Sequence, residues 1–252
     1  MLGIILAGGN GTRLMPLTQV TNKHLLPIYN KPMIFYPIEL LKDMGLQNII
    51  LTTGKEFGGD FTDLLGDGSR FGVKFTYKVQ EGALGIAHAL SLTEDIVNNE
   101  SMLVILGDNI FLFDKDERAR IKEVVKSFTK NPNGAVIFLK EVEDANRFGV
   151  AELGDNNTIK NIEEKPQEPK SKLAVTGLYL YDNTVFKKIR GLKPSKRGEL
   201  EITGVNNAYI KEGSLRYHII KGEWADAGTF DSLHRANILA RKNAEETPVP
   251  GA

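Results

Sequence analysis

The segment Gly3-Ile4-Ile5-Leu6-Ala7-Gly8-Gly9-Asn10-Gly11-Thr12-Arg13 constrains the chain more than any other stretch. Ile4, Ile5 and Leu6 read as a short buried strand. Gly8, Gly9 and Gly11 permit positive φ and leave room for a phosphate to touch main-chain N–H groups. Arg13 adds a fixed fork of donors. A strand that runs straight into such a turn admits two readings, a phosphate cradle or a tight connection.

The spacing argues against two familiar cradles. From Gly9 the run is Gly-Asn-Gly-Thr-Arg-Leu, which lacks the third glycine of the dinucleotide fingerprint. Ile28, Tyr29, Asn30 and Lys31 offer no acid for a ribose hydroxyl. No Gly-Lys-Ser/Thr closes a four-residue gap, so a Walker-type site does not fit either.

Beyond the turn, strand-like and helix-like stretches alternate, the pattern of a parallel or mixed sheet covered by helices. The periodicity predicts helices over 33–44, 86–97, 116–130, 183–189, 201–211 and 229–242. It predicts strands over 48–53, 73–79, 103–106, 135–140, 149–153, 158–163, 173–181 and 215–220. A Pro- and Lys-rich turn spans 164–172, and the tail from Ala244 reads as unstructured. With 252 residues, 41% of them hydrophobic, the chain has material for one large α/β domain. Lys plus Arg and Asp plus Glu each number 32, so no global field recruits nucleic acid or an anionic membrane, and any anion must be held locally. The absence of cysteine removes disulfides and thiolate metal sites, and four histidines give zinc little support. No G-x-S-x-G motif is present. The opening apolar run breaks at Gly8, too short for a signal peptide or a membrane span, so cytoplasm is the expected location.

Two aspartates follow apolar strands. Asp108 comes directly after Leu103–Gly107, and Asp226 ends Trp224-Ala225-Asp226 before a helix. Each reads either as a cap or, beside a phosphate cradle, as half of a Mg²⁺ pair, since that cation takes one or two carboxylates plus phosphate oxygens and water. Lys23 in Asn22-Lys23-His24-Leu25-Leu26-Pro27 and Lys165 in Glu164-Lys165-Pro166 read, taken singly, as solvated charges. His24 reads as a structural imidazole.

The combination resembles the sugar-1-phosphate nucleotidylyltransferases, most closely their thymidylyltransferase branch in its short form. Six segments carry the resemblance in order: Gly8–Leu14, Lys23–Pro27, Leu106–Asn109, Glu164–Pro166, Gly198–Thr203 and Trp224–Thr229. The resemblance runs from Leu2 to about Lys242. The sequence departs from the pattern at His24, where glutamine is common, and at Ala227, where threonine is common.

The resemblance implies an α/β fold, a three-layer α/β/α Rossmann-like mixed sheet with a sugar-binding insertion. It implies one domain over 1–243, with nucleotide binding mainly in 1–110 and sugar binding mainly in 140–220, followed by a flexible tail over 244–252. It implies an enzyme that joins dTTP and glucose 1-phosphate, giving dTDP-glucose and pyrophosphate by Mg²⁺-assisted in-line attack. The same chemistry with UTP or another sugar 1-phosphate is the alternative, and a non-catalytic nucleotide-sugar sensor is a third reading. By the same resemblance Arg13, Lys23, Lys165 and Asp108 are catalytic. Leu6, Gly8, Gly9, Gly11, Thr12, Arg13, Gln80, Gly85 and Asp108 bind the nucleotide. Asn109, Gly149, Glu164, Lys165 and Val175 bind the sugar phosphate, and Asp108 and Asp226 bind the metal. Nucleic acid and membrane are not expected as partners, and homo-oligomerisation is left open.

Overall fold

Every residue of Leu2–Ala7 is buried, as a strand covered on both faces must be. In the computed structural model, which describes residues 1–155 and 158–246, this strand, β1, is followed by a hairpin of β2 (Pro27–Ile28) and β3 (Lys31–Pro32), then α1 (Phe35–Asp43), β4 (Asn48–Gly54), α2 (Gly58–Leu65) and β5 (Lys74–Gln80). Next come α3 (Ile86–Ser91), α4 (Glu94–Val97), β6 (Met102–Leu106), β7 (Asn109–Leu112), α5 (Lys115–Lys130), β8 (Ala135–Glu141), β9 (Gly149–Leu153), β10 (Ile159–Glu164) and β11 (Leu173–Tyr181). The described residues close with α6 (Val185–Arg190), α7 (Ile202–Lys211), β12 (Leu215–Ile219), β13 (Glu223–Asp226) and α8 (Phe230–Glu246).

Nine strands form one mixed sheet with the path β10-β9-β11-β6-β1-β4-β5, and β8 pairs both β11 and β12. The four strands β6, β1, β4 and β5 are parallel, and β11 runs antiparallel to β6. Alternation along β1 sends Ile5 and Ala7 into one core and Ile4 and Leu6 into the other. On the first face they meet α1, α2 and α5 through residues such as Ile38, Phe61 and Ile121. On the second they meet α3, α6 and α7 through Leu90, Phe186 and Tyr209. The expected three-layer mixed α/β fold is therefore the one observed. A third apolar cluster joins Ile28, Met33 and Ile110 to Ala236 and Ala240 of α8, which packs this helix on the hairpin and on β7 and β13.

Three expectations are corrected. The stretch 86–97 is two helices, because the buried Thr93 turns its hydroxyl back to the Leu90 carbonyl at 2.7 Å and competes with helix continuation. Short β2, β3 and β7 and helix α2 went unread, being too brief for a periodic signal. The last helix runs through Glu246, so 244–246 are helical, and the remainder of the expected tail lies outside the described residues.

Candidate active site

A cavity of about 450 Å³ opens outside the carboxyl ends of β1 and β6. The chain builds outward from β1 through β4 to β5, then returns to the other side of β1 as β6, and such a reversal leaves a crevice between the two loops. The far wall comes from β11. This strand borders β6 through Leu178–Tyr181 and β9 at Ala174, and Val175, Thr176 and Gly177 between these pairings face the cavity.

At the β1 end, Leu6, Gly8, Gly9, Arg13, Gln80 and Gly85 line the space. The Gln80 side chain lies across Gly8 so closely that a Cβ there would overlap its amide, so a larger residue at this position would displace the Gln80 side chain. Its Nε2 donates to the Gly82 carbonyl at 2.5 Å. Gly11 and Thr12 fall outside the wall: Gly11 faces Thr18 and Lys23, and Thr12 begins an exposed 3-10 turn.

The two aspartates arrive together through β7 and β13. These strands pair antiparallel with Asp226 opposite Asn109, and the Ala227 N–H donates to the Asp108 carbonyl at 2.9 Å. The capping reading fails for both. Helix α8 is started by Thr229 and Ser232, whose backbone N–H groups each reach the other's hydroxyl, at 3.0 and 3.3 Å. Asp108 instead accepts from Lys23 Nζ on Oδ2 and from Asn109 Nδ2 on Oδ1 at 3.0 Å. Burial alone would raise its pKa, but the adjacent Lys23 ammonium and these hydrogen bonds hold it well below the usual carboxylate range. Asp226 behaves oppositely. Loss of water and then the Asp108 charge push its pKa up, against the pull of Lys23, Arg13 and Arg147. Among the described residues no donor hydrogen-bonds its carboxylate.

His24 is buried, with Nδ1 2.6 Å from Asn22 Oδ1. Burial, then the Lys23 charge, lower its pKa to about 3, so it is a neutral imidazole lining the cavity.

At the β11 end the cavity is lined by Asn109, Gly149, Glu164, Lys165 and Val175, so all five residues expected at the sugar side converge. Lys165 has φ 45°, rare for a residue with a side chain, and is held there by its N–H on the Phe148 carbonyl at 2.9 Å. Its ammonium lies 3.9 Å from Glu164 Oε1, while Thr203 Oγ1 donates to Glu164 Oε2 at 2.5 Å. Arg147 and Arg197 also line the wall, and sequence reading missed both. Arg197 sits 3.6 Å from Glu164 and 2.8 Å from Glu201. Arg147 is tied by Nη1 to Asp144 at 2.7 Å, and its Nη2 is buried with no hydrogen-bond partner among the described residues. The sequence signals nearest to them are the flanking Gly149 and the segments Glu164–Pro166 and Gly198–Thr203, none of which includes either arginine.

The chain is similar to known proteins in sequence and in overall fold. The family profile described as nucleotidyl transferase covers residues 2–243. A glucose-1-phosphate thymidylyltransferase of Neisseria meningitidis is 45% identical over 238 residues, 94% of this chain and 81% of that protein. A solved Bacillus anthracis structure, provisionally assigned as a glucose-1-phosphate thymidylyltransferase and complexed with sucrose, superposes with TM-score 0.88 at 55% identity over 96% of each chain. A UDP-glucose pyrophosphorylase bound to UDP-glucose superposes with TM-score 0.84 at 26% identity over 96% of this chain and 98% of that one. With the profile spanning nearly the whole described fold and the aspartate pair lining the same cavity as the glycine turn, the chain belongs to the nucleotidyl transferase family of enzymes.

Proposed function

We propose that the chain joins dTTP and glucose 1-phosphate to form dTDP-glucose and pyrophosphate. The observation that carries this reading is the convergence, in one cavity, of the glycine turn, the cations Arg13, Lys23 and Lys165, and the Asp108–Asp226 pair. The names of the relatives at 45% and 55% identity support the substrates. An oxygen of the sugar phosphate attacks the α-phosphorus of dTTP, a new P–O bond forms in line, and the bond to the bridging oxygen breaks to release pyrophosphate. The nucleophile is already an anion, so the protein's task is to overcome charge repulsion and hold the line of attack.

In this reading the main chain at Gly8 and Gly9, with Arg13 and Lys23, holds the triphosphate. Leu6, Gln80 and Gly85 border the base and its sugar. Lys165 takes the incoming phosphate, and Asn109, Gly149, Glu164 and Val175 orient the hexose. Gly11 acts by letting the chain pack against Lys23, and Thr12 by starting the turn that presents Arg13. Two carboxylates that repel one another, with no third acidic or histidine ligand beside them among the described residues, suit a hard cation that completes its shell with phosphate oxygens and water. Mg²⁺ bound by Asp108 and Asp226 would supply Lewis-acid stabilisation of charge at the α-phosphate. Among the described residues no helix is long and apolar enough to cross a membrane.

A panel of nucleoside triphosphates with glucose 1-phosphate, followed by pyrophosphate release, tests the assignment. Gln80 can accept from a ring N–H and donate to a carbonyl, a pair of groups that thymine and uracil share. We expect dTTP best, UTP usable, and ATP and GTP poor, since a single methyl in an apolar pocket is worth only about 1–3 kcal/mol. A purine preference, or a pyrimidine preference unchanged in Gln80→Ala, defeats the reading of Gln80. UTP as the best substrate transfers the chain to the alternative chemistry.

A further inference from the structure

The chain has one tryptophan, and it stands two residues before Asp226. Pairing of β13 with β7 sets Trp224 opposite Phe111 and Asp226 opposite Asn109, so by the two-residue period all four share one face of the ribbon. On that face the Trp224 indole N–H donates to Asn109 Oδ1 at 2.7 Å. The Gly177 N–H, from β11, donates to the same oxygen at 3.0 Å. A Cβ at Gly177 would come within 2.6 Å of the Asn109 amide, so only glycine lets β11 approach this closely. Two donors on one oxygen settle which end of the amide is which, because the NH₂ end accepts nothing. They therefore turn Nδ2 to the other side, where it donates to Asp108 Oδ1 at 3.0 Å. Lys23 holds Oδ2. Trp224 and Asn109 are 4% and 3% exposed, so little water reaches the two donors that fix the amide.

We propose that Trp224 is a positioning residue which, acting through Asn109, fixes the plane of the Asp108 carboxylate. The inference rests on the assignment of Asp108 to the reacting end of the site. Without the indole donor the Asn109 amide keeps one fewer reason to present its NH₂ group to Asp108, and a carboxylate held only by Lys23 turns about its own axis. Asn109 then serves the reaction from behind Asp108 in addition to facing the cavity. The ring itself packs on Phe148, with centroids 4.9 Å apart, so its apolar body and its polar edge do separate work.

Trp224→Phe keeps an aromatic ring against Phe148 and deletes the N–H. We expect kcat to fall by about three- to tenfold, the range of one neutral hydrogen bond, with KM for both substrates within about twofold of the wild type. In a double-mutant cycle with Asn109→Ala, the Trp224→Phe change adds no further loss, because the path it acts through is already cut. Independently of turnover, a ¹⁵N-labelled protein gives a single indole N–H resonance, and Asp108→Asn shifts it through the intervening amide. An additive cycle overturns the proposal. So does a loss confined to KM for glucose 1-phosphate, which is the signature of a sugar contact, or an indole resonance that ignores Asp108→Asn. The resonance needs no substrate, so it separates failure of this chain of hydrogen bonds from failure of the substrate assignment.

Discussion

Glu117, on α5, and Asp226, at the end of β13, each draw a carboxylate away from bulk water, and their surroundings treat the two charges in opposite ways. Glu117 is 1% exposed and fully provided for. Its Oε1 accepts from the Lys221 N–H at 3.0 Å and lies 3.3 Å from His218 Nε2, while Arg120 donates to Oε2 at 3.0 Å. Burial would raise its pKa, but these partners outweigh burial and lower it. Asp226 is half-buried at the cavity wall, faces the charge of Asp108, and its pKa is raised. The contrast separates a charge that the fold has neutralised for its own stability from one left for a ligand to complete.

The largest effect that sharpens this contrast is on catalysis. Asp226→Asn and Asp108→Asn should each lower turnover by about 10²–10⁴-fold while the fold survives, since losing Lewis-acid stabilisation at the phosphoryl group removes several kcal/mol. Steady-state rates with Mg²⁺ and with excess chelator decide the matter. Turnover in either variant within about tenfold of the wild type, or full activity of the wild type in chelator, removes the functional half of the comparison.

Much of this is legible in the sequence. Leu2–Ala7, the glycine turn and the strand ahead of Asp108 are contiguous signals, so their place at a sheet's carboxyl edge could be read from the chain alone. The residues alone left Asp108 and Asp226 open between caps and a metal pair, and only the resemblance joined them, because what brings them together is the pairing of β7 and β13, two strands of four residues that leaves no periodic trace. Arg147 and Arg197 sit in charged segments where nothing distinguishes a cavity-facing guanidinium from a solvated one. The Glu117 cluster was equally silent, because two of its partners, His218 and Lys221, lie about a hundred positions away along the chain and the nearby Arg120 reads as an ordinary i,i+3 pair on a helix surface. Caps were readable as a class but not in their assignment: Asp114 caps α5 by accepting the Glu117 N–H at 2.7 Å, whereas Asp108 and Asp226 do not cap at all.

A smaller effect tests the structural half. Glu117→Gln should leave kcat and KM near wild type but cost about 1.5–3 kcal/mol of stability, the range for hydrogen bonds to a charged group. The folded-state pKa of Glu117 is depressed, so its stabilisation is complete above the unfolded value near 4.3 and is lost as pH falls through the folded value. The gap between wild-type and variant melting temperatures should therefore be widest at neutral pH and close under acid conditions. A gap that is constant with pH would mean that Glu117 stabilises by shape and not by charge.

The smallest expected effect has the opposite sign and returns to Asp226. A carboxyl group whose folded pKa lies above its unfolded one weighs against the folded state increasingly as pH rises through the folded value, so at neutral pH the wild type carries a penalty that Asp226→Asn removes. In chelator and without nucleotide, the variant should melt higher by a few degrees, on the order of 1 kcal/mol for a domain of this size. Below the unfolded aspartate pKa of about 3.9 both proteins present a neutral group there and the difference should vanish. Adding Mg²⁺ with dTTP should reverse the order, because a ligand that binds only the folded state stabilises the wild type in proportion to its occupancy, and the variant has lost half of the site. Differential scanning calorimetry under these three conditions checks each step. If Asp226→Asn melts lower than the wild type at neutral pH in chelator, Asp226 is a structural carboxylate of the same kind as Glu117.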